Sequence, residues 1–229
     1  MKLSVIIPVY NEQSTLVELI KRIEKVKIEK EMIVVDDGSS DKTLEILKSL
    51  KKEYSFTLLT HSENQGKGAV VQTALEYVWG ELVVIQDADL ETDPNDYLKL
   101  VEPILNRKVK VVFTSRIRSF REIKPFIFKI YFLGAKFLTW LANILFSAHL
   151  TDINSGCKLF KTEVLKSLNL QSKGFNIDEE ITAKILRRGY SLIEIPIHYF
   201  PRTVDEGKKV RLMDGLIGAL TLIKYRFKD

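Results

Sequence analysis

Cysteine is nearly absent: Cys157 is the only one in 229 residues. That excludes an intramolecular disulfide framework and suits a reducing compartment. Long uncharged apolar runs are missing too. The most apolar stretch, 125–150, is interrupted by Lys129 and Lys136, and its uncharged remainder, 137–150, is shorter than the ~20 residues a bilayer-spanning helix needs. The apolar start, Leu3 to Val9, ends in Tyr10-Asn11-Glu12 without a small-residue cleavage site, so it reads as a buried strand and not as an export signal. Histidine is scarce: His61, His149 and His198 are the three, and the last two sit in apolar surroundings that suit packing. Neither G-x-x-x-x-G-K-[ST] nor G-x-G-x-x-G occurs, which excludes a P-loop and argues against a dinucleotide oxidoreductase. No long linker, internal repeat or low-complexity tract is present.

What is there is a globular composition. With 45% hydrophobic, 28% charged and 10% aromatic residues, the chain is neither disordered nor fibrous, and it is long enough to bury a sizeable core. The net charge of +5 hides a division. Residues 1–106 hold 12 Lys/Arg and 19 Asp/Glu, a net of −7; residues 107–229 hold 23 and 11, a net of +12. Such a split suits an anionic partner for the second half: nucleic acid, a membrane surface or a phosphorylated ligand. Charge alone fits an ordinary basic surface at least as well.

The first half alternates two hydrophobic periods. Segments 3–10, 32–36, 56–60, 82–86 and 109–114 read as strands, and 12–27, 41–50, 66–78 and 94–105 as helices, with Asp41 as an N-cap and Pro94 in a first turn. Strands alternating with such helices predict βαβ units and an α/β fold with a mostly parallel sheet. The pattern weakens after residue 117, which divides one domain into 1–117 and an appended 118–229. Tyr10-Asn11-Glu12, Asp36-Asp37-Gly38 and Asp87-Ala88-Asp89 each follow a strand. Open α/β sheets bind ligands at that carboxyl edge, so the three clusters should meet in one crevice.

Asp87 and Asp89, two residues apart where a strand gives way to a loop, can reach one hard divalent cation such as Mg2+ or Mn2+, with Glu91 as a third candidate ligand. An isolated Asp-x-Asp is more often a pair of solvated acids; this position brings the two readings level. Asp36 and Asp37 stand where a base or ribose could be bound, although Gly38 and Asp41 also serve a turn and a helix cap. Asn64-Gln65-Gly66-Lys67-Gly68 opens a helix whose N-terminus favours an anion, with glycines allowing close approach and Lys67 adding charge.

Ile6-Ile7-Pro8-Val9-Tyr10-Asn11-Glu12, Val35-Asp36-Asp37-Gly38-Ser39-Ser40-Asp41, Asn64-Gln65-Gly66-Lys67-Gly68 and Asp87-Ala88-Asp89-Leu90 occur in this order at fitting separations. Together they resemble the GT-A glycosyltransferases of family 2. Ser115-Arg116, the run from Thr151 to Lys158, Lys173-Gly174-Phe175 and Glu194-Ile195-Pro196-Ile197 narrow the resemblance to polyprenyl-phosphate glycosyltransferases of the dolichyl-phosphate mannose synthase type. The resemblance implies a nucleotide-sugar pocket lined by Pro8, Tyr10, Glu12, Asp36, Asp37 and Lys67. It implies a diphosphate held at Asp87, Ala88 and Asp89 through a divalent metal. Arg116 would lie between donor and acceptor phosphates, and Arg202 and Lys208 on a loop closing over the acceptor phosphate, with Asp89, Arg116 and Lys208 catalytic. Glu91 stands where relatives often have Gln, Cys157-Lys158 where several have Phe-Arg, and Leu133 where a basic residue is common.

The implied reaction moves a sugar, first of all mannose from GDP-mannose, onto a lipid phosphate that is already anionic, so no histidine base is required. A surface ion pair is the competing reading for Arg116, but its place directly after the 109–114 strand favours function; Asp152 and Ser155 read as a brace or a turn. Asp178 and Glu179 open a helix whose dipole they stabilise, and one of them could touch the sugar. Apolar residues from Phe126 to Leu145 beside Lys124, Lys129 and Lys136 suit an interfacial helix, with 212–227 a second; a buried or dimer-forming helix is the competing reading. The expected location is cytoplasmic, peripheral on a membrane, alone, as a homodimer or with an anchored partner. Family 2 enzymes with glycan acceptors and non-catalytic homologues remain alternatives, and nucleic acid is not an expected partner.

Overall fold

The computed structural model describes residues 1–106, 108–116, 126–202 and 212–228, with side chains for all but 126–131 and 212. Among the described residues seven strands and eight α-helices follow one another. In order they are β1 Leu3–Val9, α1 Leu16–Lys25, β2 Lys30–Asp36, α2 Thr43–Leu50, β3 Thr57–Thr60, α3 Lys67–Leu75, β4 Leu82–Ile85, α4 Tyr97–Leu105, β5 Val111–Ser115, α5 Phe126–Phe146, β6 Lys158–Lys161, α6 Thr162–Ser167, α7 Ile177–Arg187, β7 Leu192–Pro196 and α8 Leu212–Phe227. The sheet order is β3-β2-β1-β4-β6-β5-β7. All adjacent pairs are parallel except those of β6, which runs antiparallel to both β4 and β5. This is the mostly parallel α/β sheet of a GT-A fold.

The alternation along the strands builds two cores. Leu3, Val5, Ile7 and Val9 of β1 face α1, α2 and α4, packing with Leu16, Leu19, Leu47 and Tyr97. Ile6 faces the other way, with Ile33, Val70, Phe113, Phe160 and Ile181. A third cluster, Leu138, Ala142, Ala183, Leu222 and Tyr225, joins α5, α7 and α8. The period-2 pattern of the central strands is therefore buried on both faces, as a covered parallel sheet requires.

The expected elements of the first half are all present, with helices that start one to four residues later than expected, a β2 that starts two residues earlier and a β5 shifted to Val111–Ser115. Helix α1 starts at Leu16, after a left-handed Asn11, φ 48°, and a turn in which the Glu12 carbonyl accepts from the Thr15 and Leu16 amides. The N-cap of α2 is Lys42 and not the expected Asp41; Asp41, one residue before it, still accepts from the Thr43 amide through Oδ1 at 2.9 Å. No helix among the described residues is long and apolar enough to cross a membrane. The 212–227 helix has its expected bounds.

Candidate functional site

The carboxyl ends of β1, β2 and β4 converge. The Asn11 amide donates to Ser39 Oγ at 2.9 Å, and Asn11 Oδ1 accepts from the Ser40 amide at 2.8 Å, which ties the β1 and β2 loops together. Pro8 pairs with Val35 in the register, at the end of β1 nearest the site, and Tyr10 follows it, half-buried. Asp36 is buried; Oδ2 accepts from the Ser39 amide at 3.3 Å, while Oδ1 has no partner among the described residues. A buried acceptor left open costs free energy that a ligand N–H would recover.

Asp37 does a different job. Its Oδ1 meets His61 Nδ1 at 2.7 Å and accepts from the Gln65 amide at 2.9 Å, and Oδ2 accepts from the Gly66 amide at 2.7 Å. His61 Nε2 meets Thr73 Oγ1 at 2.9 Å. Asp37 thus anchors the 61–66 loop at the mouth of α3. The glycines there let the protein's own backbone come close. A Cβ on Gly66 would lie 2.5 Å from the Lys173 carbonyl oxygen, and one on Gly68 would overlap that of Ser172. Because backbone cannot yield as a side-chain tip can, Gly68→Ala is expected to cost about 3 kcal/mol, seen as a Tm lower by roughly 6–12 °C in thermal unfolding.

The β4 end carries the acidic pair. Ala88 is buried in the first core, so Asp87 and Asp89 on either side of it turn to the crevice. Leu90 takes a left-handed backbone, φ 60°, a conformation that costs of order 1 kcal/mol and is typical of functional loops. Lys67 Nζ lies 2.9 Å from Asp87 Oδ1 and 3.2 Å from Asp178 Oδ2; these two carboxylates hold its pKa high despite burial. Burial, then the charges of Asp87 and Glu91, push the Asp89 carboxyl up to about 7, with Arg202 opposing. Such mutual repulsion is relieved by a bound cation.

Glu91 is engaged elsewhere. Oε2 accepts from the Tyr199 hydroxyl at 2.5 Å and Oε1 from the Arg202 amide at 2.8 Å. It fastens the segment that delivers Arg202, whose guanidinium grips Glu12 at 2.9 and 3.0 Å and lies 3.5 Å from Asp89. No group of three His, Cys, Asp or Glu side chains arranged to hold a metal occurs among the described residues. The oxygen donors of Asp87 and Asp89 still fit a hard divalent cation whose remaining ligands come from diphosphate and water.

Arg116, just past β5, donates from Nε and Nη2 to Asp152 at 2.7 and 2.8 Å, and its guanidinium lies 5.1 Å from the Tyr199 ring centroid. Asp152 is itself set by Glu194, which accepts from the Thr151 and Asp152 amides at 2.7 and 2.9 Å. Ser155 bonds Thr114. Lys208 and Lys124 lie outside the described residues. The site also holds Lys158, whose burial the sequence did not reveal, and Glu179, one of the two acids expected to open a helix. Lys158, buried on β6, pairs with Asp178 and donates to the Ser155 carbonyl at 2.6 Å. Glu179, buried beside Asn154, has its carboxyl pushed up to about 7 by burial and by Asp178.

Helices α5 and α8 pack together beyond α7 and leave their outer faces bare. Leu133, Phe137, Trp140 and Ile144 are exposed on α5, and Met213, Leu216, Leu220, Ile223 and Phe227 on α8. The spacing of three and four makes each set one stripe. Gly218, buried on the face of α8 away from its stripe, abuts Glu179, next to Asp178, so the helix that carries this stripe backs onto the acidic crevice.

The sequence model of Glycosyl transferase family 2 matches residues 4–168. A UDP-N-acetylglucosamine–dolichyl-phosphate N-acetylglucosaminyltransferase of Methanococcus voltae is 29% identical over 241 residues, covering 96% of this chain and 94% of that one. A dolichol-phosphate mannosyltransferase of Pyrococcus furiosus is 31% identical over 212 residues, covering 91% of this chain and 59% of that relative. Among solved structures, glucosyl-3-phosphoglycerate synthase of Mycobacterium tuberculosis, in complex with Mn2+, UDP-glucose and phosphoglyceric acid, superposes with a TM-score of 0.74 at 19% identity. That match covers 100% of this chain and 80% of the other.

Proposed function

The chain belongs to glycosyl transferase family 2, and from that premise we propose that it transfers a hexose from a nucleoside diphosphate sugar to a polyprenyl phosphate of the dolichyl type at a membrane surface. Mannose from GDP-mannose is the first donor to try; the Methanococcus voltae and Pyrococcus furiosus relatives are named for different sugars but for the same acceptor class. The observation that carries the reading is the juxtaposition of the Asp87/Asp89 pair, flanked by Lys67, Arg202 and Arg116, with the bare apolar stripes of α5 and α8.

In this reading Pro8, Tyr10 and Asp36 line the nucleoside pocket, Asp36 Oδ1 accepting from the base. Asp37 keeps the 61–66 loop closed beneath it. Asp87 and Asp89, with Ala88 between them, present oxygens to a Mg2+ or Mn2+ ion, which offsets the charge developing on the departing diphosphate. Arg202 leaves Glu12 and Asp89 when the donor arrives, and with Lys208 it orients the acceptor phosphate. Arg116, its plane fixed by Asp152, holds donor and acceptor phosphates in line. The acceptor oxygen is already ionised and attacks opposite the leaving group, inverting the anomeric centre.

The bare stripes seat the protein on the bilayer. Lys136 on α5, and Lys224, Arg226 and Lys228 near the end of α8, would meet anionic headgroups. Sedimentation with anionic liposomes is expected to show binding that falls as salt rises. Trp140→Glu should weaken binding about tenfold, since half-burying such a ring is worth roughly 1.5 kcal/mol. Binding indifferent to salt and to Trp140→Glu would remove the membrane from the proposal.

The decisive assay incubates the protein and Mn2+ with GDP-mannose, UDP-glucose or UDP-N-acetylglucosamine and a short polyprenyl phosphate. Sugar should pass into the organic phase only when the lipid phosphate is present. Transfer to a free glycan or to phosphoglyceric acid, with none to lipid, would replace this proposal by a soluble-acceptor enzyme.

A further inference from the structure

We propose that Lys158 and Asp178 are positioning residues that act on Asp87 through Lys67. The four side chains form a line of alternating charge reaching from the crevice into the protein. Asp87 pairs with Lys67, Lys67 with Asp178 Oδ2 at 3.2 Å, and Lys158 with Asp178 Oδ1. Lys158 is 1% exposed and cannot touch a nucleotide in this arrangement. Its ammonium is fixed from three sides: Asp178, the Ser155 carbonyl at 2.6 Å, and the Phe113 ring at 5.3 Å.

The topology makes this line possible. β6 runs antiparallel beside β4, with Lys158 opposite Ile85, two residues before Asp87. Asp178 is the second residue of α7, where the helix dipole favours a negative charge. A Cβ on Gly156 would overlap Asp87 Oδ2, so the turn leading into the strand that supplies Lys158 forms the wall against which Asp87 lies. One ammonium beside Asp87 would suffice for charge balance; the second ammonium, deeper and buried, balances Asp178.

The consequence is a division of labour at Lys67. Because Asp178 holds one side of its ammonium, Lys67 stays in place when Asp87 turns an oxygen to a divalent cation. Because Lys158 holds Asp178, that carboxylate does not draw Lys67 away. Without Lys158, Asp178 keeps one cationic partner in a buried setting and competes with Asp87 for it. Asp87 then loses the contact that orients it, and its affinity for the cation and diphosphate falls.

This inference rests on the proposed nucleotide and metal site, and one calorimetric experiment separates the two. GDP and UDP are titrated into the protein with Mn2+ and with EDTA. If wild type binds neither nucleotide more tightly with Mn2+, the site reading itself fails. If it does, Lys158→Met is expected to weaken the Mn2+-supported binding about tenfold, with less than a twofold change in EDTA. In an Asp87→Asn background Lys158→Met should have no further effect, since coupled residues are not additive. Equal losses with Mn2+ and EDTA, or full additivity with Asp87→Asn, would overturn the proposal in favour of plain packing. Asp178→Asn keeps the shape of the side chain and carries the same test if Lys158→Met does not fold.

Discussion

Asp89→Asn is expected to lower kcat/KM for sugar transfer about a thousandfold while raising the Tm of the ligand-free protein. The two effects share one cause. Burial and the neighbouring Asp87 and Glu91 hold the Asp89 carboxyl at about 7, well above the ordinary 3.8. The folded state therefore binds this proton more tightly than the unfolded chain does. Its contribution is least unfavourable below the unfolded value and is lost progressively as pH rises from about 4 towards 7. Above that the full cost of an ionised Asp89 is present. Asparagine removes the charge and the cost together, so the variant's advantage in Tm should be larger at pH 8 than at pH 5.

A bound cation would relieve the same repulsion. Mn2+ is therefore expected to raise the Tm of wild type and leave Asp89→Asn unmoved in thermal unfolding. The loss of rate follows from what the carboxylate supports in the proposed reaction: stabilising the departing diphosphate is worth about 4 kcal/mol, the scale of removing one such electrostatic contact. Undiminished transfer by Asp89→Asn would end the proposed role of the Asp87/Asp89 pair.

The second large effect lies at Arg116. Its bidentate pair with Asp152 is buried, and removing one partner strands the other's charge; Arg116→Ala is expected to cost about 3 kcal/mol of stability as well as most of the transferase activity. Stability and activity can be pulled apart. Arg116→Ala with Asp152→Ala removes both charges, so stability should partly return while activity does not. Arg116→Lys keeps a charge but loses the planar fork, and should fold better than Arg116→Ala while transferring sugar poorly. Denaturant unfolding beside initial rates reads both. Activity returning with the double substitution would make Arg116 a structural residue alone.

The first half was legible because its evidence is local. Apolar strands buried on both faces appear as unbroken runs, and the acids of Tyr10-Asn11-Glu12, Asp36-Asp37 and Asp87-Ala88-Asp89 directly follow them. The second half was not, for identifiable reasons. β6 is four residues, Lys158–Lys161, with a lysine at each end, and a buried lysine gives no hydrophobic period. β7 is half-exposed along most of its length, so it reads as loop. Partner choice is non-local: Asp37 is consumed by a loop 24 to 29 residues later, Glu91 by Tyr199 and Arg202, and Lys67 by Asp178, 111 residues away. Gly66 and Gly68 announced a close approach, and only the fold shows that the approaching group is the backbone of 172–174.

The place of β6 between β4 and β5 has a consequence for how the protein can be made. Strands β1 to β4 can pair as they emerge from the ribosome, but β5 has no neighbour until residues 158–161 follow it. Until then the outer edge of β4, four buried apolar residues, is an open template for another chain. The acidic half is thus complete in its ligand-facing residues by Leu90, yet the sheet beneath them closes only after the chain has doubled back. A shortened version ending near residue 117 would keep the acids and lose the wall that holds them.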